Sequence, residues 1–239
     1  MDGKTTKPHK TSTANRPKAA ERNSAVPLVV TLKKEGARRA DLHGVDLHDQ
    51  QLEDVTFAGA NLSGANLQGA GLTGCAMNLA NLSGAHMANV QLSGIFGLEA
   101  SFKKAALTGA RIKEADFTGA DFSDVEAAGL EWTGGSGISG KFTGANLKGA
   151  RFKQVALSLA NFSKTQLAGA DLSKSELHDA NFANCDLTNA DLSAAQLYGA
   201  KLATATITGT NFKGALYDKR TKWKGDPPEG AKFVKDPDI

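Results

Sequence analysis

From Leu42 onward a bulky apolar residue returns at every fifth position, as in "AGANLSGANLQGAGLTG" at residues 58–74. A helix places apolar residues at i, i+3, i+4 and i+7, and a strand alternates them at two, so a period of five belongs to neither. Stepping by five from Leu42 to Tyr217 reaches 36 positions, of which 31 are Leu, Phe, Ile or Met. The exceptions are Gly97, Ala127, Trp132, Gly137 and Tyr217. Two residues before each of these centres lies a second slot, and 21 of its 36 occupants are Ala. Apolar residues that are mainly Leu and Ala, together with 26 glycines, suggest a stack of similar narrow layers instead of one irregular globule.

The unit A-(D/N)-L-x-x, seen in Ala60-Asn61-Leu62, Ala170-Asp171-Leu172 and Ala190-Asp191-Leu192, resembles the pentapeptide-repeat family. The resemblance covers residues 42–217 and implies an all-β fold: a right-handed quadrilateral parallel β-helix, one pentapeptide per side, both slots pointing inward. Four repeats then make a coil of twenty residues. The sequence tests that length independently, because Phe102, Phe122, Phe142, Phe162 and Phe182 recur at intervals of twenty and would form an internal ladder. With a coil-to-coil spacing of about 4.8 Å, nine coils make a rod of about 43 Å.

Segments follow from where the repeat starts and stops. Residues 1–25 are basic and rich in Ser and Thr, and read as a disordered tail, with an organelle transit peptide as the lesser alternative. Residues 26–39 contain "VPLVVTL", expected to cap the first coil or to join it as a single strand. The β-helix spans 40–217, with a local bulge expected at 126–141, where "TGGSGISG" interrupts the pattern, and no shift of register, because the Phe ladder crosses it. Residues 218–239 carry prolines and the aromatics Trp223 and Phe233, the composition of a C-terminal cap. The lack of an apolar secretory run leads us to expect a cytoplasmic protein, and the resemblance of the C-terminal segment to that of bacterial pentapeptide-repeat proteins implies a bacterial one.

Chemistry-bearing motifs are missing. The five histidines are scattered, Cys75 and Cys185 sit in the small inward slot, and no nucleotide-binding, nucleophile-elbow or zinc motif occurs. A rod filled by its own side chains offers no substrate cavity, so we expect no enzyme activity, no catalytic residue, no cofactor, no metal and no small-molecule substrate.

Charge is therefore assigned by side. The overall +3 hides a basic segment 1–41 and a rod, 42–217, with 12 cations against 16 acids. The side bearing the Phe ladder is net +3, the next −3, the third neutral, and the fourth holds Glu99, Asp116, Glu176 and Asp179 with no cation. Such clustering reads either as plain solvation or as a docking side. Trp132, Phe96 and Leu98 are the other candidate contacts, since exposed aromatics favour interfaces; inward packing of Trp132 in a widened coil is the alternative.

These features predict a non-enzymatic protein-interaction rod or scaffold with a protein partner. The resemblance adds a second expectation, because some relatives mimic duplex DNA and bind DNA gyrase or topoisomerase IV, and others dimerise through terminal coils. A third is tethering to polyanions or membranes through the basic tail. Duplex DNA of about 43 Å carries about 25 charges, against a net −4 for this rod, so electrostatic mimicry is weakly supported.

Overall fold

The computed structural model describes residues 25–235; most of the basic tail lies outside the described residues. The chain winds into nine stacked coils in which residue i pairs in parallel with residue i+20, from Asp41↔Asn61 through Gln196↔Leu216. Six strands form the most regular side: β1 (Gln51–Glu53), β2 (Gly71–Thr73), β3 (Gln91–Ser93), β4 (Arg111–Asp116), β5 (Glu131–Ser136) and β6 (Arg151–Lys153), paired in that order. The parallel four-sided solenoid implied by the repeat is thus the fold.

The five-residue unit follows from hydrogen-bond supply. The small-slot N–H closes a turn onto the centre's carbonyl, as in Ala65 N–H to Leu62 O at 3.0 Å. The other amides run between coils: Leu62 donates forward to Asn81 O at 2.7 Å, while Asn61 donates back to Ala40 O at 2.9 Å. The Asp or Asn before the centre accepts from the backbone two residues on, as Asp191 Oδ1 does from Ser193 N–H at 2.8 Å. Asn also bonds along the stack, with Asn181 Nδ2 donating to Asn161 Oδ1 at 3.2 Å. These roles explain why the consensus carries an amide or carboxylate there.

Inside, the phenylalanine ladder is continuous. Rings 102/122, 122/142, 142/162 and 162/182 stack with centroids 4.7 to 5.2 Å apart and planes within 11° of parallel. Burial pushes the Cys185 thiol up to about 12, with Asp186 adding to the effect, and Cys75 is buried as well. We expect neither thiol to react with a disulfide reagent within minutes in the folded protein and both to react on denaturation. Fast labelling of the native chain would mean that the coils open.

Three expectations are corrected. The "VPLVVTL" segment does not join the first coil as a strand but is part of helix α1 (Ala25–Glu35), which buries Leu32 and lays Leu28 and Val29 against the core. Leu28 and Leu32 fall on one helical face, Lys33 and Lys34 sit in the last turn where cations favour the helix dipole, and Gly36 (φ +71°) ends it.

Through 126–141 the register of twenty is kept, as expected, by Glu126↔Asn146, Glu131↔Arg151 and Ser136↔Ala156, but the expected local bulge is absent. The irregularity is internal instead. Trp132, read as a contact residue, is fully buried, and its indole N–H donates to Gly134 O at 3.0 Å. A Cβ placed on Gly137 would lie 3.1 Å from the Trp132 ring and 3.0 Å from Leu157. The missing centre at 137 is therefore the space that the large centre at 132 fills. Gly97 plays the same part for Phe117 of the next coil, whose ring occupies the position where a Gly97 side chain would start.

At the C-terminal end β7 (Leu216–Tyr217) pairs with β8 (Lys232–Phe233), so the chain covers one edge of its own last coil. Trp223 meets Phe212 and Tyr217 edge-on at 5.4 and 5.6 Å. Asp218 is buried and ties this cap down. It accepts from Gly199 N–H at 2.9 Å, Thr221 N–H at 3.1 Å and Arg220 Nε at 2.7 Å.

Candidate functional site

Among the described residues no three His, Cys, Asp or Glu are grouped to hold a metal, and no helix is long and apolar enough to cross a membrane. The surface that stands out is one side of the rod. Six large apolar side chains are exposed among the described residues, and two of them, Val30 and Phe233, lie in the terminal segments. The four on the coils are Leu79 (64%), Phe96 (58%), Leu98 (43%) and Leu159 (58%). All four belong to the side formed by residues 76–80, 96–100, 116–120, 136–140, 156–160 and 176–180, which contains no Lys or Arg over that stretch, while Arg38 and Arg39 lie on the same side in the first coil, two coils before Leu79.

Local geometry explains how they come to face out. Phe96 and Leu98 flank the centre Gly97, so alternation along the strand points both away from the core. The backbone there is fully engaged, with Phe96 N–H on Cys75 O at 3.1 Å, Gly97 N–H on Asp116 O at 2.7 Å and Leu98 N–H on Asn78 Oδ1 at 2.9 Å. Leu79 and Leu159 occupy the corner two residues after a centre, at φ of 59° and 62°. That left-handed region disfavours a branched apolar residue, whereas Gly59, Gly119 and Gly199 hold the same column without strain.

The carboxylates predicted for this side separate into two groups. Glu99 and Glu176 are exposed and Asp116 is partly so, its Oδ1 accepting from Thr118 N–H at 3.0 Å. None of the three forms an ion pair among the described residues. Asp179 differs: Arg220, reaching back from the C-terminal cap, lies 3.4 Å from its carboxylate. The side therefore presents three uncompensated carboxylates beside the apolar cluster. Trp132 does not contribute, being inside the coil. Leu79 and Leu159 were not singled out from the sequence, although an apolar residue outside both inward slots was a usable signal. The Arg220 contact had none, since its partner is 41 residues away.

The family follows from direct comparison. A model described as pentapeptide repeats matches residues 40–78, 60–96 and 98–126, and one described as a pentapeptide repeat region matches 138–212. The chain belongs to the pentapeptide-repeat family. Among solved structures it is similar to QnrB1, described as a plasmid-mediated fluoroquinolone resistance protein, with 20% identity, a TM-score of 0.50 and coverage of 81% of this chain and 88% of that one. It is also similar to HetL from the cyanobacterium Nostoc sp. strain PCC 7120, a protein involved in heterocyst differentiation regulation, with 21% identity, a TM-score of 0.42 and coverage of 79% and 92%. Curated proteins gave no match. At 20% identity the likeness to QnrB1 speaks for the fold alone.

Proposed function

We propose that this protein is a non-enzymatic interaction rod that binds a protein partner through the cation-free stretch of this side. The reading is carried by one observation: every large apolar side chain exposed on the coils lies on that side. Scattered single apolar residues need no explanation, but a one-sided set beside unpaired acids has the composition of a docking surface. An interior filled by Leu, Phe and Ala leaves the outer surface as the place for recognition.

Replacing both Phe96 and Leu98 by Ser removes two exposed groups and no core contact. Fold, read by circular dichroism and thermal unfolding, should stay as in the original chain, while capture of the partner from native lysate falls at least ten-fold. Unchanged capture by the double variant would overturn the reading.

Binding to a type II topoisomerase as a DNA mimic is the second reading, drawn from the QnrB1 likeness and from the acids of this side. Two observations weigh against it. A groove-edge mimic needs dense charge, whereas this side interleaves three free carboxylates with exposed hydrocarbon, and residues 126–141 stay in the coil register and form no projecting loop. A gyrase supercoiling assay with the purified protein separates the readings. Inhibition or protection that disappears on reversing Glu99, Asp116 and Glu176 to Lys, and survives loss of Phe96 and Leu98, would favour mimicry.

A further inference from the structure

We infer that the occupant of this side is an amphipathic helix with a basic rim, lying parallel to the rod axis; the inference rests on the interaction reading above. Three features of the surface select it. The first is the state of the backbone. Along this side the amides and carbonyls of each coil are spent on the coils above and below, as for Gly97 on Asp116 and Leu157 on Glu176. No edge is open to an added strand, so a partner meets side chains alone, which suits a helix presenting anchors and excludes strand addition.

The second feature is dimension. One side is a single pentapeptide wide, on the order of 10 Å, which matches the diameter of one helix laid lengthwise. Coils repeat at about 4.8 Å and helical turns at about 5.4 Å, so successive turns can address successive coils with little drift. Leu79 and Leu159 share one corner column four coils apart, about 19 Å, with Phe96 and Leu98 one coil beyond Leu79. A helix spanning them has about 13 residues between its outer anchors, at about 1.5 Å per residue.

The third feature is charge. Glu99 lies in the coil of Phe96 and Leu98, Asp116 in the next coil and Glu176 in the coil beyond Leu159, none of them in an ion pair among the described residues. Lys or Arg flanking the apolar stripe of a partner helix meets them, and an acidic rim is repelled. Other occupants fit less well. The chain's own residues 1–24 supply Lys4, Lys7, Lys10, Arg16, Lys18 and Arg22, but among apolar residues only Met1 and three alanines, too little to cover Phe96 and Leu98. A second copy would have to offer its cationic side, whose exposed groups are lysines without apolar anchors, and such a side-to-side contact is heterologous and does not close.

The test uses the full chain and four 20-residue synthetic peptides followed by fluorescence anisotropy. One has a Leu stripe at helical spacing with a Lys rim, one the same stripe with a Glu rim, one carries two central prolines in the Lys-rim sequence, and one is a scramble of it. We expect the Lys-rim helix to bind at least ten-fold more tightly than the other three. The Phe96→Ser/Leu98→Ser chain and the Glu99→Lys/Glu176→Lys chain should each lose that preference. Leu79→Gly/Leu159→Gly should weaken binding several-fold while raising the thermal midpoint, because glycine relieves the left-handed corners; a structural role alone would not separate the two readouts. A spin label at either peptide end should broaden resonances near Leu79 or near Leu159, not both.

Equal binding of the proline or scrambled peptide, or broadening that does not distinguish the two ends, overturns the axial helix. If the Lys-rim helix fails while partner capture still depends on Phe96 and Leu98, this inference falls and the interaction reading stands. If capture is also indifferent to those residues, both fall.

Discussion

Trp132→Ala should destabilise the rod by about 4 kcal/mol, in the range for emptying a large aromatic site that cannot collapse. Gly137→Leu, which restores the family's consensus at that position, should destabilise it by about 3 kcal/mol, because the new side chain and the Trp132 ring claim one volume. Combining Trp132→Leu with Gly137→Leu should return stability to within about 1 kcal/mol of the original, since the coil then holds two ordinary centres. The coil containing Phe122, Ala127, Trp132 and Gly137 thus has two large and two small centres, all buried. Urea unfolding followed by far-ultraviolet circular dichroism measures each corner of the cycle. Additive effects of the two substitutions would show that the ring and the glycine are not coupled and would sink this account of the irregular coil.

Asp218→Ala should loosen the C-terminal cap at a cost of about 3 kcal/mol. It leaves the Gly199 and Thr221 amides and the Arg220 guanidinium without their common acceptor, while the Thr221 hydroxyl keeps the Leu197 carbonyl at 2.8 Å. Burial alone pushes this carboxyl upward. The hydrogen bonds from Arg220, Gly199 and Thr221 outweigh burial and hold it at about 2, below the ordinary 3.8. The sign follows: a carboxyl whose folded value is depressed contributes stability that is fully present above the unfolded value and disappears as pH falls through the folded one. About 2 kcal/mol should therefore be present above pH 4 and be lost between about pH 4 and pH 2, and Asp218→Ala should flatten that slope. Trp223, packed against Phe212 and Tyr217, reports the cap directly by its fluorescence. An unaltered pH profile in the variant would show that another carboxylate carries the acid sensitivity.

Arg220 links this latch to the proposed docking side, because the same guanidinium contacts Asp218 and Asp179. It removes Asp179 from the set of carboxylates available to a partner. This is why the sequence count of four acids on that side becomes three in the folded molecule.

The sequence by itself determined the repeat, the twenty-residue coil, the direction in which the side chains of the regular repeats point and hence the side on which each charge of the rod falls. All of these depend on a period of five and on the phenylalanines at steps of twenty, and a strictly periodic chain places its residues by arithmetic. Tertiary structure decided whatever departs from that arithmetic. Whether Trp132 faced solvent or core turned on Gly137, five residues away on the adjoining side, and on an inward-turned Gly134 carbonyl that accepts its N–H. The gap at Gly97 is closed by Phe117 from the next coil, a contact between layers that no single repeat contains. The first segment became a helix because Leu28, Val29 and Leu32 could seal the open coil, a choice that local β-branched composition argued against. The pairing of Asp179 with Arg220 exists only because the C-terminal cap folds back over the last coils, bringing together two charges that the pattern assigns to different segments.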